Sequence, residues 1–170
     1  MIKLYKFGAN LGLPDASPFV LKLETYLRLA DIEHETKSAD VRKAPKGKLP
    51  CLEVDGEIIA DSQFAISFLK NRFGDKLNEG LDRETLGQHH LMRLGLENHS
   101  YFLFLGYRWL EDKNAEQMYK SYFSKMGMMG KVIFKLVQRD IRKTCHGQGI
   151  LRHSPSEREQ LAKDDIQALE

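Results

Sequence analysis
The sequence predicts a small α/β domain followed by an all-helical one. Three observations point there. Up to residue 73, short apolar runs bounded by turn residues alternate with stretches of helical periodicity. An Asp-Gly pair at residues 55–56 joins two of those runs. Beyond residue 82 strand alternation stops and only the 3.6-residue period remains. At 170 residues the chain is long enough for one substantial core or two small ones.

Ile2 to Phe7 alternates apolar and polar and reads as a strand. A loop rich in Gly8, Gly12, Pro14 and Asp15 follows. Pro18 to Ala30 is predicted as a helix, with Phe19, Val20, Leu23, Tyr26, Leu27 and Ala30 on one face. Ser17 is its N-cap, and Pro18 sits at the first helical position, where a missing N–H costs nothing. Ile32 to Thr36 is predicted as a second strand, parallel to the first because a helix intervenes. Residues 37–48 are polar and basic, with Pro45 and Gly47, and read as loop. Cys51–Val54 and Glu57–Ala60 flank Asp55-Gly56, the signature of a type I′ hairpin. Asp61 or Ser62 caps a helix through Phe73, stopped by Gly74. The order β-α-β-(loop)-β-β-α is a short form of the thioredoxin-like β-α-β-α-β-β-α type, a four-stranded mixed sheet with helices on its faces.

Asn78 to Asp82 is the predicted linker, which divides the chain into residues 1–77 and 83–170. The second part reads as helices over Glu84–Leu110 (weakened at Gly95 and Gly106), Ala115–Met126, Lys131–Lys143, and from Ser154-Pro155-Ser156-Glu157 to Glu170. That last pattern runs to the end of the chain with no C-cap, so a fragment or truncated product is expected.

Composition narrows the function classes. The chain is 42% hydrophobic and 29% charged, and no apolar run approaches the roughly 20 residues of a membrane span. The N-terminus starts as a strand, with no signal-peptide or transit pattern. Two cysteines, Cys51 and Cys145, do not make a disulfide scaffold, so a cytoplasmic setting is expected. The net charge of +2 is spread evenly, with 12 basic and 12 acidic residues in the first 80, and no nucleic-acid partner is expected.

The candidate chemistry lies in Ser17-Pro18-Phe19, Leu49-Pro50-Cys51 and Asp61-Ser62. Pro50 cannot donate to a ladder and is an unusual residue directly before a buried strand. A cis bond there would present the backbone of Leu49 to an extended peptide; an ordinary trans proline at the loop–strand junction is the alternative. Asp61-Ser62 opens a helix whose free N–H groups and dipole suit a ligand carboxylate, although capping alone selects the same residues. Ser17 is either a cap only or a hydroxyl donor to a bound thiolate. Tyr5 is the rival donor, and alternation leaves its sheet face open. His89, His90 and His99 share one helix without paired ligand spacing, so no metal is expected. Cys51 is expected to be buried and inert, and Cys145 to be the more exposed thiol. Lys131, Lys135, Arg139, Arg142 and Lys143 form a basic stripe, which is either a solvated face or a membrane-surface or partner helix.

Leu4-Tyr5-Lys6-Phe7, Ser17-Pro18-Phe19-Val20-Leu21-Lys22, Arg42 to Pro50 and Ala60-Asp61-Ser62 resemble the N-terminal domain of the glutathione S-transferase superfamily. More narrowly, they are similar to the branch with metaxin and the failed-axon-connections proteins. The resemblance implies a thioredoxin-like domain joined to a helical one, a possible homodimer, and glutathione as co-substrate with a small hydrophobic electrophile. It places Leu49 and Pro50 on the cysteinyl backbone, Asp61 and Ser62 on the γ-glutamyl end, Lys48 at the glycyl carboxylate and Ser17 or Tyr5 beside the sulfur. Redox members of the fold carry Cys-Pro-aromatic-Cys where Ser17 to Val20 stands here, so dithiol chemistry is disfavoured. Asp61 replaces the usual Glu. The alternative is a non-catalytic metaxin-like adaptor or membrane-surface protein of the same fold.

Overall fold
In the computed structural model, which describes residues 1–169, strand β1 (Ile2–Lys6) lies between β2 (Glu35–Ser38) and β3 (Cys51–Val54), and β4 (Glu57–Ala60) closes the sheet beyond β3. β1 runs parallel to β2 and antiparallel to β3, and β3 and β4 form the expected hairpin. Both hairpin turn residues, Asp55 and Gly56, have positive φ (51° and 91°), as a type I′ turn demands. Helix α1 (Pro18–Leu29) crosses from β1 to β2, and α2 (Ser62–Phe73) follows β4. The result is a thioredoxin-like sheet domain. Its helix between β2 and β3 is reduced to a single 3-10 turn, Val41–Lys43.

Register explains where the core sits. Ile2 pairs with Val54 and Leu4 with Leu52, so all four point to one face. There they meet Leu23 and Leu27 of α1 and Ala65, Ile66 and Leu69 of α2. Each buried Leu, Ile or Val among them contributes about 1.5–3 kcal/mol. The second strand begins three residues later than expected. The Ile32 amide closes the end of α1 on the Leu27 carbonyl (2.9 Å), which takes Ile32 out of any strand. All four side chains of β2 are exposed, so no apolar alternation marks it.

Glu24 is an acidic residue on the buried side of α1, with its side chain only 5% exposed. Lys6 Nζ and Arg28 Nη2 each donate to it at 2.7 Å. Burial opposes its ionisation, but these two hydrogen bonds outweigh burial and hold its carboxyl below the usual range.

The chain divides into two compact units, Met1–Leu81 and Asp82–Glu170. In the second, α3 (Arg83–Gly95) passes through a π-helical turn, Leu96–Ser100, into α4 (Tyr101–Leu110). Gly95 therefore marks a change of helix type within a continuous helical path (φ −58°, ψ −51°). α5 (Asp112–Tyr122) and α6 (Gly127–Gln148) follow. α6 is longer than its apolar pattern predicts and stops at Gly149, whose φ is 117°. The extension puts Cys145 on the inner side of α6, fully buried with Leu103 and Ile150, which corrects the expectation of an exposed thiol. α7 (Pro155–Gln167) starts with the capping box of Ser154 and Glu157. It stops at Gln167 with Ala168 as C-cap, short of the expected end at Glu170, because the Ala168 amide closes back on the Asp164 carbonyl; Glu170 itself lies outside the described residues.

Gly130 is buried at the start of α6, where a Cβ would stand 2.1 Å from the Phe123 carbonyl oxygen. Alanine gains about 1 kcal/mol of helix propensity there, but a backbone clash outweighs it. Gly130→Ala is expected to lower stability by about 2 kcal/mol or more in urea denaturation. Gly147→Ala, in open space on the same helix, should raise it by up to about 1 kcal/mol. Equal effects would remove the close approach as the reason for a glycine at 130.

Glu24→Gln leaves two cations facing a neutral amide and is expected to cost about 3 kcal/mol at neutral pH. The folded carboxyl titrates below its unfolded value of 4.5. The stability gap between wild type and variant should therefore be full above that pH and close as pH falls through the folded value. A gap that persists undiminished into strong acid would refute the assignment.

Candidate functional site
Ser17 is held by a buried carboxylate. Asp15, fully buried, accepts the Gly8 N–H on Oδ2 and the Ser17 N–H on Oδ1, both at 2.8 Å. It closes the β1–α1 loop and aims the first turn of α1. Ser17 Oγ accepts from the Val20 N–H at 3.4 Å, a long capping bond, and its own hydroxyl proton stays available for donation. Sequence reasoning read Asp15 only as a loop residue. The available signal was an aspartate two residues before a helix cap, the spacing of an Asx turn.

The structure settles the face of Tyr5. It lies opposite Leu4, pairs with Cys51, and its ring packs on Val20, Leu49 and Cys51. Its hydroxyl donates to Glu53 Oε2 at 2.5 Å, and Lys3 Nζ donates to the other carboxylate oxygen at 2.7 Å. The hydrogen bond to Glu53, then burial, pushes the phenol up from its ordinary value and lowers its acidity.

The Leu49–Pro50 bond is cis, and both residues are buried. Ladder pairing begins at Cys51, so the backbone of Leu49 lies outside it. The Cys51 thiol donates to the Lys48 carbonyl (3.6 Å), and burial pushes it up, leaving it a poor nucleophile at neutral pH. In the basic loop, Arg42 is clamped on Asp40, whose carboxyl it holds down at about 2. The Lys48 side chain is exposed.

At the mouth of α2, Asp61 Oδ1 accepts the N–H groups of Gln63 (2.8 Å) and Phe64 (3.4 Å). Its φ of 85° is a conformation that favours glycine. Ser62 is buried beside it. Two side-chain links draw neighbouring elements to this point. Lys22 Nζ of α1 donates to Gln63 Oε1 at 3.1 Å, and Lys46 Nζ lies 4.6 Å above the Phe64 ring.

One apolar cluster joins Leu49 and Cys51 to the chain neighbours of the other two stretches. Val20 (one turn into α1), Leu49 and Cys51 pack together with Ala60, the residue before Asp61. A cleft of about 830 Å³ lies elsewhere in this unit: Met1, Leu27, Arg28, Ile32 and His34 line it at the far end of α1. His99 is engaged by Asp165 at 2.9 Å, and among the described residues no three His, Cys, Asp or Glu side chains are grouped to hold a metal ion.

The family profile of the glutathione S-transferase N-terminal domain matches residues 18–114. The chain belongs to the glutathione S-transferase family. The match takes in Leu49–Pro50 and Asp61–Ser62 and begins one residue after Ser17. Failed axon connections of Drosophila melanogaster is 32% identical over 99% of this chain and 43% of its own length. The isoprene-epoxide–glutathione S-transferase of Rhodococcus sp. strain AD45 is 37% identical over 68% of this chain and 51% of its own. The chain thus spans about half the length of these curated relatives. Among solved structures, the beta-etherase LigF of Sphingobium sp. strain SYK-6 matches with a TM-score of 0.50 at 16% identity, over 98% of this chain and 68% of that one, a likeness of fold.

Within this transferase-family unit the strained cap is testable. Asp61→Ala loses the cap and keeps a side chain at positive φ, so it should cost about 1–2 kcal/mol. Asp61→Gly loses the same cap but relieves the backbone, and should stay within about 0.5 kcal/mol of wild type. Equal losses in urea denaturation would show that the backbone conformation carries no cost.

Proposed function
We propose that the N-terminal unit binds glutathione and that the protein joins the glutathione sulfur to a small hydrophobic electrophile. The packing of Val20 in the first turn of α1 and Ala60, two residues before α2, with Leu49 and Cys51 in one cluster supports this reading. In it, residues 1–77 hold glutathione, 78–82 form a linker, and the helical residues 83–170 select the electrophile. The Leu49 backbone pairs with the cysteinyl residue. Asp61 takes the α-amino group and Ser62 the carboxylate of the γ-glutamyl end. Lys48 reaches the glycyl carboxylate. A cytoplasmic setting and a homodimer go with this assignment.

Ser17 is the thiolate donor in this reading. Its hydroxyl proton is available, whereas the Tyr5 hydroxyl is committed to Glu53. The thiol proton leaves to solvent, and the Ser17 hydroxyl and the N-terminus of α1 stabilise the sulfur anion. A sulfur lone pair then forms the S–C bond as the electrophile's leaving group departs or its ring opens to an oxyanion, which takes a proton from water. The protein supplies thiolate stabilisation and proximity.

The second reading is the same fold without turnover, as an adaptor or membrane-surface protein; the basic outer face of α6 favours it. Retention on immobilised glutathione and turnover of a chlorodinitrobenzene separate the two. The transferase reading expects retention, a loss of about 100-fold in kcat for Ser17→Ala, and near-wild-type activity for Tyr5→Phe. A wild-type protein that is not retained sinks the glutathione reading. Retention without turnover selects the adaptor. A loss confined to Tyr5→Phe reverses the donor assignment.

A further inference from the structure
We propose that the outer face of α6 docks on bilayers rich in anionic phospholipid. The inference stands apart from the glutathione reading and rests on the make-up of one exposed arc. At about 100° per residue, Met128, Lys131, Val132, Lys135, Leu136, Arg139, Arg142, Lys143 and His146 fall within about 140° of the helix circumference. None of these nine is acidic, and all are exposed. The opposite side is the packed one, carrying Gly130, Phe134 and Cys145.

Two features separate this arc from an ordinary solvated face. The first is its charge. The neighbouring helices balance their surface ions within the helix: α5 pairs Lys120 with Glu116, and α7 pairs Lys163 with Glu159. On α6, Lys131, Lys135, Arg142 and Lys143 have no acidic partner among the described residues. The helix's single acid, Asp140, sits outside the arc beside Arg139. The second is its apolar row. Met128, Val132 and Leu136 recur every four residues with relative exposures of 84%, 53% and 45%, and Met129 at the row's edge is 62% exposed.

A phosphate-rich surface accounts for the cations, and only a bilayer also accounts for the apolar row. Nucleic acid offers backbone phosphates but no use for a line of Met, Val and Leu. An interfacial helix uses both: its apolar side chains enter the headgroup boundary while lysines and arginines meet anionic headgroups. At 22 residues α6 spans about 33 Å and would lie in the plane of the interface. No helix among the described residues is long and apolar enough to cross a membrane.

The test is flotation of the purified chain with phosphatidylcholine vesicles, with and without about one-third phosphatidylserine, at about 0.1 M and about 0.5 M salt. Binding is expected only to the phosphatidylserine vesicles and should be lost at the higher salt. Lys131→Glu/Lys135→Glu should weaken it by at least about 25-fold, taking about fivefold per side chain. Met128→Ser/Val132→Ser/Leu136→Ser should weaken it by about 10-fold or more. All five positions are exposed, so an unchanged urea midpoint certifies that each variant is folded. Retention on immobilised glutathione is measured alongside and is expected to be unaffected. No flotation, equal flotation with pure phosphatidylcholine, or variants that bind like wild type would each overturn the proposal. So would charge-sensitive binding to duplex DNA without vesicle binding. A fall from dimer to monomer mass in these variants would instead make the face an interface between copies of the chain.

Discussion

A cluster of three buried side chains, Val20, Leu49 and Cys51, holds together the polar parts of the first unit. Each belongs to a different piece of the chain, and each is a step away from a group with chemistry to offer. Val20 is one turn past Ser17, Leu49 presents its own backbone, and Cys51 pairs with Ala60, the neighbour of Asp61. Tyr5 and Cys51 put the cluster on the sheet face opposite Leu4 and Leu52, and Val20 is the part of α1 that reaches it. Tyr5, Ala39, Val41 and Ala44 complete it. The loop between β2 and β3 must therefore stay against the sheet although it forms only one 3-10 turn. The Lys46–Phe64 contact ties that loop to α2, and the Arg42–Asp40 fork braces its 3-10 turn from within.

Two buried carboxylates show two ways of compensating a charge. Glu24 faces Lys6 and Arg28, so its compensation is an ion triad inside α1 and β1. Asp15 accepts two backbone N–H groups, so its compensation is local and directional. The triad secures the packing of a helix on a strand, whereas Asp15 secures a loop conformation. The second arrangement bears more directly on chemistry, because the Ser17 amide it holds belongs to the candidate donor. A hydroxyl half an ångström out of place is a weak thiolate partner, and a rigid loop is what prevents that.

Most of the sheet unit was legible because its signals were local. Ser17-Pro18 caps a helix, Asp55-Gly56 makes an I′ turn, and Gly74 stops α2 for reasons contained within a few residues. β2 was misplaced because all its side chains are exposed and the apolar residue before it, Ile32, closes the end of α1. Cys145 was misjudged because α6 runs on to Gln148, five residues past the end of its apolar pattern at Lys143. At the candidate site the residue types and their order were readable, but the choice between Ser17 and Tyr5 was not. The donor proposed here rests on Glu53, a cross-strand neighbour fixed by sheet register that accepts the Tyr5 hydroxyl. Asp15 escaped notice because a loop aspartate looks the same whether it is solvated or buried.

At the start of α2 the cap occupies backbone donors that a ligand would otherwise use. Two of the N–H groups that an incoming anion would seek, those of Gln63 and Phe64, are already taken by Asp61. The carboxylate that takes them would also repel an anion arriving from the same side. In the glutathione site proposed above, Asp61 therefore takes the cationic end of a zwitterion and the anionic end is left to Ser62, whose hydroxyl is neutral and sits next along the chain. A ligand with an amine and a carboxylate on one carbon satisfies both at once; a simple anion would meet Asp61 as a cost. The backbone at Asp61 sharpens this division, because its positive φ directs consecutive side chains differently from an ordinary helix start. A shortened acid in that position fits the same logic, since the cap it makes requires a side chain that folds back on its own helix.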